Sequence, residues 1–352
     1  MSYTPESLVA CPNLQSKLTQ VFNANPAKFT TEPIALTEYL MSPVNRNGIA
    51  QLVNPGRGKI KTVELTYQPR ILKGSSTADA SLTCTATTER GNTSETYTID
   101  ETSSLKQEQL FSTDSLARMC EDNADFFNEQ IMMMVAALDV DVNVKNATQL
   151  EALVGNWSTR AASVPFATVN GSDQLELRTV VSSGSYSPMV QSPYSLDQAA
   201  KVSNFGNYAV IGGMLWNGYV ELNRSGCCTA TGLNVGDIQS RFGSVSMYDP
   251  DVVTALGGDA YSFVLANGAA QVLTYNRWDG LFATQVPTES HGIIRSPWTG
   301  LPYDLTVKYD CGNIHVVLFA ITKVVSLPAD MYQTGDHLEG VNGVAVMKVN
   351  NA

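Results

Sequence analysis

The sequence predicts an α+β chain, and three observations predict it. A threonine-rich stretch over 59–100 alternates apolar and polar residues, as half-buried strands do. A stretch over 112–139, free of Gly and Pro, repeats apolar residues every three to four positions, as an amphipathic helix does. From 301 onward the chain is dominated by β-branched apolar runs. The composition adds a surface argument. Only 16% of the 352 residues are charged, below the usual ~25%, while 43% are hydrophobic. Ser, Thr, Asn and Gly make up the difference, which fits β-rich segments and surfaces that meet other protein. A chain of this length hides roughly 75% of the area its unfolded form exposes, enough for about two domains. Disorder would need low hydrophobicity together with high charge.

Taken in order, residues 1–50 carry Pro5, Pro12, Pro26, Pro33 and Pro43, an interval that prevents one long element. Leu14, Leu18, Val21 and Phe22 share a helical face, so a short amphipathic helix is expected after Pro12 and an extended arm elsewhere. In 59–100, Val63, Leu65 and Tyr67 alternate with Thr62, Glu64 and Thr66. Leu82, Cys84 and Ala86 alternate with threonines, and TSETYTID follows the turn Glu89-Arg90-Gly91-Asn92. The last two runs are therefore expected to pair as a hairpin. Its faces are one weakly apolar and one almost all threonine, so it is expected to bury little within its own subunit.

Ser112, Thr113 and Asp114 supply N-cap residues for the helix, whose apolar face holds Leu116, Cys120, Phe127, Ile131, Met134 and Leu138. At 1.5 Å per residue it spans roughly 40 Å. Residues 155–195, rich in Gly, Ser and Pro, read as a domain boundary with one strand at Leu175–Val181. Ser195 and Asp197 are expected to cap a short helix in SLDQAAKVSNF. Residues 205–300 mix short strands with many glycines. LTVKYD, IHVVLFAITKVVSL and GVAVMKV read as closing strands, the middle one central and covered on both faces.

The sequence is poor in chemistry. Only His291, His315 and His337 are present, far apart, and none belongs to a HExxH motif; GxSxG, paired CxxC and GxxxxGK[ST] are absent too. His315 reads as a packed or subunit-contact histidine and His337 as one half of a solvated pair with Asp336. Asp139-Val-Asp141 resembles the start of a calcium loop but lacks the Gly and Glu that complete one. No metal, cofactor or catalytic residue is expected. The six cysteines show no repeated spacing and read as reduced thiols. The N-x-[ST] triplets at Asn92, Asn146, Asn156, Asn170 and Asn223 are what chance supplies in such a composition. The N-terminus MSYTPESLVACP reads as no signal peptide, and no stretch approaches the ~20 apolar residues of a membrane helix. A net charge of −11 argues against a general nucleic-acid binder.

One charge pattern stands out. Arg57, Lys59, Lys61, Arg70 and Lys73 gather at the root of the hairpin, against Glu64 alone, while the helix carries Glu121, Asp122, Asp125 and Glu129. The plain reading is two solvated faces. The other is a contact between neighbouring subunits, joined by the apolar positions Val63, Leu65, Tyr67, Leu14 and Phe22, since complementary patches set register and encounter.

The order of parts (arm, threonine-rich hairpin, long helix, Gly-rich mixed region, strand-rich close) resembles the major capsid proteins of tailed double-stranded DNA bacteriophages, the Hong Kong 97-like capsid fold. VIGGMLWNGYVELN is similar to the family's lead into a helix of the axial domain. SMYDPDVVTALGGDAYSFVLANGAAQVLTYNRWDG resembles its run of Tyr-Asp step, short helix and turn into a strand. LPYDLTVKYDCGNIHVVLFAITKVVSLPADMY resembles the closing peripheral strands. The resemblance covers nearly the whole chain. It implies an N-terminal arm at 1–50, an E-loop hairpin at 51–111, a peripheral domain with the spine helix at 112–190, an axial domain at 191–300 and closing peripheral strands at 301–352. It also implies self-assembly into hexamers and pentamers of an icosahedral shell. That shell would enclose double-stranded DNA without sequence-specific binding, made in the host cytoplasm and ending in the virion. Scaffolding, portal and decoration proteins are the implied partners besides copies of the chain. No charged N-terminal coiled coil is present, which implies a separate scaffolding protein. The Lys–Asn cross-link of some members has no motif here, although Lys59, Lys61 or Lys73 and Asn342 or Asn350 have the residue types. The rival readings are a β-rich virion fibre or glycan-binding surface module, a carboxylate hydrolase, and an encapsulin-type nanocompartment shell, which shares the fold.

Overall fold

The computed structural model describes residues 14–24, 26–29, 32–43, 60–67, 93–112, 125–178, 181–182, 185–186, 192–225, 244–277, 289–310, 313–332 and 334–350. Helix α1 (Leu14–Ala24) lies where the apolar spacing predicts it and buries Leu18, and the following turn buries Phe29. Within the segment expected to be an extended arm, α2 (Ala35–Met41) is a short helix with Leu36, Tyr39 and Leu40 buried in the main core. Seven residues are too few to show a helical period. Its N-cap, Ile34, makes no side-chain cap, and its first amides are satisfied from elsewhere in the fold.

Strand β1 (Ile60–Tyr67) pairs antiparallel with β2 (Thr93–Asp100), Val63 opposite Tyr97. TSETYTID thus pairs with KTVELTY, and SLTCTATTE lies outside the described residues. The base of this hairpin is not empty. Val63 is 4% exposed and packs with Tyr97, Ile99, Leu273, Ile321 and Val325. The hairpin, expected to bury little in its own subunit, buries three well-spaced apolar residues at its base, where a second two-stranded sheet lies against them.

Next comes β3 (Leu105–Ser112), so Ser112 ends a strand; Thr113 and Asp114 lie outside the described residues. The long helix, α3 (Asp125–Glu151), keeps the expected length of about 40 Å but extends twelve residues past Asp139. Asp139, Asn143 and Asn146 face inward among Leu138, Val142, Ala147 and Leu150, and these buried polar residues interrupt the apolar stripe that marks a helix in sequence. Leu116 and Cys120 lie outside the described residues.

Strands β4 (Ala167–Val169) and β5 (Leu175–Arg178), a small hairpin of β6 (Val181–Ser182) and β7 (Ser185–Tyr186), and helix α4 (Ser192–Val202) follow. Ser195 lies inside α4, not at its cap, and its hydroxyl donates to the Pro165 carbonyl at 2.7 Å. Then come β8 (Tyr208–Gly212), α5 (Met214–Ser225), β9 (Ser244–Tyr248), α6 (Pro250–Leu256), β10 (Tyr261–Ala266), β11 (Ala270–Thr274), β12 (Glu289–Arg295), β13 (Pro302–Asp310), β14 (Asn313–Ala320), β15 (Thr322–Ser326) and β16 (Val344–Asn350).

Two sheets organise the molecule. One runs β4-β5-β16-β10-β8-β9, parallel at β5/β16 and β8/β9 and antiparallel elsewhere; the other is antiparallel β12-β13-β14-β3. Neither follows a contiguous stretch, because β3 joins the second sheet and β16 returns to the first. The run IHVVLFAITKVVSL divides between β14, central in the four-stranded sheet, and β15, which pairs with β11. The C-terminal half of α3 packs with α2 and the six-stranded sheet around Phe263, Trp157 and Leu265. Its N-terminal half lies on the four-stranded sheet, packing Ile131, Val135 and Leu138 against Tyr303, Leu305 and Val316. One helix is therefore a wall of both cores.

At the start of α5 a β-carbon on Gly213 would stand 2.0 Å from the Asp259 carbonyl oxygen, whereas one on Gly171 would meet nothing within 4 Å. Gly213→Ala is expected to destabilise by about 1–3 kcal/mol or more and lower the melting temperature, with Gly171→Ala as the near-neutral comparison. Equal melting temperatures for the two variants would contradict this packing.

Candidate functional site

The densest polar construction lies where α2, α3 and α6 meet. Asp139, Asn143 and Asn146 fall on one face of α3 because they are four and three residues apart. Asn143 Oδ1 accepts from the Thr37 amide at 3.0 Å and the Thr37 hydroxyl at 2.7 Å. Its Nδ2 donates to both Asp249 oxygens at 3.1 Å and to Asp251 Oδ2 at 2.7 Å. Asn146 Nδ2 donates to the Thr37 hydroxyl at 3.0 Å. Asp249 also caps α6, accepting from the Asp251 and Val252 amides at 3.0 and 3.2 Å, and it takes the Leu36 amide at 2.8 Å. One carboxylate thus serves the N-termini of two helices, where anions are favoured.

One turn up α3, buried Asp139 accepts from the Ser296 hydroxyl at 2.5 Å, the Thr299 hydroxyl at 3.0 Å and the Tyr303 hydroxyl. These donors come from the turn between β12 and β13 and from β13 itself. Burial pushes the Asp139 carboxyl up to about 6, although the three hydroxyls pull it down. Burial likewise raises Glu38, Asp249 and Asp251, and the charge of Asp249 adds to the effect on Glu38. Asp141 turns away and accepts from Gln107 at 2.9 Å, so the two aspartates do not converge. Among the described residues no cluster of His, Cys, Asp and Glu has the arrangement of a metal site. The hydrogen bonds of this junction join elements to one another.

The sequence-predicted contact residues fare unevenly. Arg57, Lys59, Arg70, Lys73, Glu121 and Asp122 lie outside the described residues. Lys61, Leu65 and Tyr67 lie in β1, Leu14 opens α1 and Asp125 opens α3, with side chains outside the described set. Glu129 is paired within its own chain, 2.5 Å from Lys28. Val63 is buried at the hairpin base, and Phe22 packs edge-on against Trp298 at 4.9 Å. Both correct the idea that these two side chains are satisfied only by a neighbour, because α1 and β1 lie on the chain's own sheets.

His315 sits half-buried on β14, 3.5 Å from Glu108, and His337 pairs with Asp336 at 2.9 Å. Asn342 is 3% exposed, donates to the Leu153 carbonyl and receives the Val344 amide, so it serves a turn and is not presented to a lysine. Asn350 donates to Glu176 at 3.0 Å. Asn146, in one of the N-x-[ST] triplets, is fully buried. The six cysteines lie outside the described residues. No helix among the described residues is long and apolar enough to cross a membrane.

Thr37, Asn143 and Asp249 were not singled out in the sequence. The Asp-Pro-Asp of YDPDVV carries the one available signal, an N-cap residue followed by Pro at the first helical position. Nothing local marks Thr37 and Asn143, which are 106 residues apart.

No protein-family model matches the chain, and no curated protein matches it. Solved structures do. A chain of the cyanophage A-1(L) capsid asymmetric unit superposes with a TM-score of 0.52 at 10% identity, covering 91% of this chain and 94% of that one. A chain of Mycobacterium phage Adephagia gives 0.45 at 9% identity over 94% and 98%, and one from the capsid of Myoviridae phage XM1 gives 0.43 at 11% over 91% and 94%. The first of these carries the comparison, and at such identity it speaks to fold. The chain has the Hong Kong 97-like capsid fold, matched over 91% of its length.

Two predictions follow from the junction. Asn143→Ala leaves the buried Thr37 amide without its acceptor and takes one donor each from Asp249 and Asp251, which is expected to cost about 3 kcal/mol, read as a lower urea midpoint with an unchanged slope. For Asp139, the folded carboxyl titrates at about 6 and the unfolded one at about 3.9. The native state holds more protons between those values, so stability falls as pH rises through that window and levels above it, by at most about 3 kcal/mol. Glu38, Asp249 and Asp251 are shifted the same way and add to the fall. Asp139→Asn is expected to flatten the pH dependence of urea unfolding without abolishing it; equal dependence in both proteins would contradict the assignment.

Proposed function

We propose that the chain is the major capsid protein of a tailed double-stranded DNA bacteriophage, a structural protein that assembles into hexamers and pentamers of an icosahedral shell around the genome. The observation that carries this is the match of fold over more than nine-tenths of both chains to a chain of a phage capsid asymmetric unit. The chemistry of the molecule agrees: its most elaborate polar cluster is a structural junction among helices.

On this reading the six-stranded sheet with α4, α5 and α6 is the axial domain, and α3 with the four-stranded sheet is the peripheral domain and spine helix. The β1–β2 hairpin is the base of the E-loop, and the segment through α2 is the N-terminal arm, locked to its own subunit by Thr37. Copies of the chain are the principal partners, with scaffolding, portal and decoration proteins beside them. The net charge of −11 keeps attraction to packaged DNA weak. Synthesis in the host cytoplasm belongs to the same proposal.

Negative-stain microscopy of the purified full chain tests it. Closed shells some tens of nanometres across are expected; monodisperse monomers under all conditions, or trimeric rods, would overturn it. DNA-free shells filled with a cargo enzyme in the source cell would point to a nanocompartment instead. The hairpin gives a finer test. Tyr67 lies opposite Thr93, so replacing 68–92 with an Asn-Gly turn preserves the strand pairing and the core around Val63. The variant is expected to melt like the parent and to form no shells. Normal shells from it would show that the hairpin tip is not an assembly element.

A further inference from the structure

We propose that the two edges of the six-stranded sheet are the two halves of one head-to-tail contact between copies of this chain, an inference that rests on the shell-forming function proposed above. The sheet ends in β4 on one side and β9 on the other, five strand spacings or about 24 Å apart. Each edge carries exposed apolar side chains that its own chain leaves uncovered.

At the β4 edge these are Phe166, 42% exposed and immediately before the strand, and Tyr194, 50% exposed on α4, which packs against β4. The Ser195 hydroxyl bond to the Pro165 carbonyl holds the two segments together. Phe166 has φ +60°, a left-handed conformation that is unfavourable for a bulky residue and that turns up where function requires it. At the β9 edge stand Val245, 53% exposed on the strand, and Met214, 56% exposed at the start of α5, with Leu215 beside it. Helix α5 packs on β9. Aromatic residues and methionine are the types enriched at the centres of protein interfaces.

The patches differ in shape and charge, and the difference is complementary. Arg160, exposed on the short helix that packs on β4, makes no ion pair among the described residues. Asp259, exposed, lies against Leu215, whose amide bonds the Asp259 carbonyl at 3.4 Å, and its carboxylate also makes no ion pair among the described residues. Arg160 thus stands beside the aromatic edge and Asp259 beside Met214 and Leu215 at the other, one opposite-charge pair available to join them. A self-complementary dimer would set Arg160 against Arg160 or Asp259 against Asp259. A head-to-tail contact sets Arg160 against Asp259 and the aromatic pair against Met214 and Val245, and repetition about an axis closes such contacts into rings.

Mixing two edge variants tests this. Phe166→Asn with Tyr194→Ser blanks one edge, Asn being tolerant of positive φ; Met214→Gln with Val245→Thr blanks the other. Melting curves establish that both fold. Each variant alone is expected to sediment as a monomer. Their equimolar mixture is expected to give dimers that grow no further, since each dimer has used its single intact pair of edges. Assembly of either variant alone, whether as ordinary rings or as dimers through its intact edge, would overturn the inference. So would a mixture that stays monomeric while the unaltered chain assembles, which leaves the shell-forming reading standing. Failure of the unaltered chain to assemble would remove both. Arg160→Glu and Asp259→Lys supply an independent arm that leaves the apolar residues in place. Each alone is expected to raise the concentration needed for assembly several-fold, and the two in one chain to restore it; no restoration would likewise overturn the pairing.

Discussion

The hydrogen bonds that Asn143 makes to Thr37 and Asp249 hold the rest of this molecule in place. A buried amide has one acceptor and two donor hydrogens, and here it accepts from the backbone and side chain of α2 while donating to the cap of α6. Each group would be costly to bury alone. Together they position α2, α3 and α6 in one arrangement, because apolar contact by itself tolerates sliding while a satisfied polar network does not. The absence of a local cap on α2 follows from the same design, since its Leu36 and Thr37 amides are taken by Asp249 and Asn143.

From that point the two cores diverge along α3. Its later turns lie against the six-stranded sheet and its earlier turns against the four-stranded one, so a single straight element carries the relation between them. Asp139 repeats the pattern on the second core, tying the helix to the β12–β13 turn through three hydroxyls. The junction is acidic throughout, with Glu38, Asp139, Asp249 and Asp251 all held above their usual range by burial. Rigidity in this helix is accordingly obtained at a pH-dependent expense in stability.

Much of this architecture was legible in the amino-acid order. The period-two runs around Val63 and Val316, the amphipathic spacing of Leu18 and Phe22, and the length of the long helix are all local signals, and the elements stand where those signals lie. What was hidden is hidden for physical reasons. That α3 runs on to Glu151, twelve residues past Asp139, is hidden because Asp139, Asn143 and Asn146 are buried polar residues on its inward face, and periodicity treats them as surface. Helix α2 is too short to show a period. That β2 pairs with β1 across 25 intervening residues, and that Glu129 answers Lys28, are long-range facts to which neighbouring residues hold no clue. The charge clusters were visible as clusters, but partners a hundred residues apart were not.

The position of β16 between β5 and β10 carries a further implication. It follows every other strand in chain order yet occupies the interior of the larger sheet. Until it is synthesised, the β4–β5 pair and the β10–β8–β9 group have no strand to join them, and the two outer edges belong to separate, unanchored pieces. Such non-local closure is slow compared with local helix and hairpin formation. Timing is thereby built into topology: a chain that lacks β16 cannot present both edges at their final spacing, so the proposed head-to-tail contact has to wait for that strand.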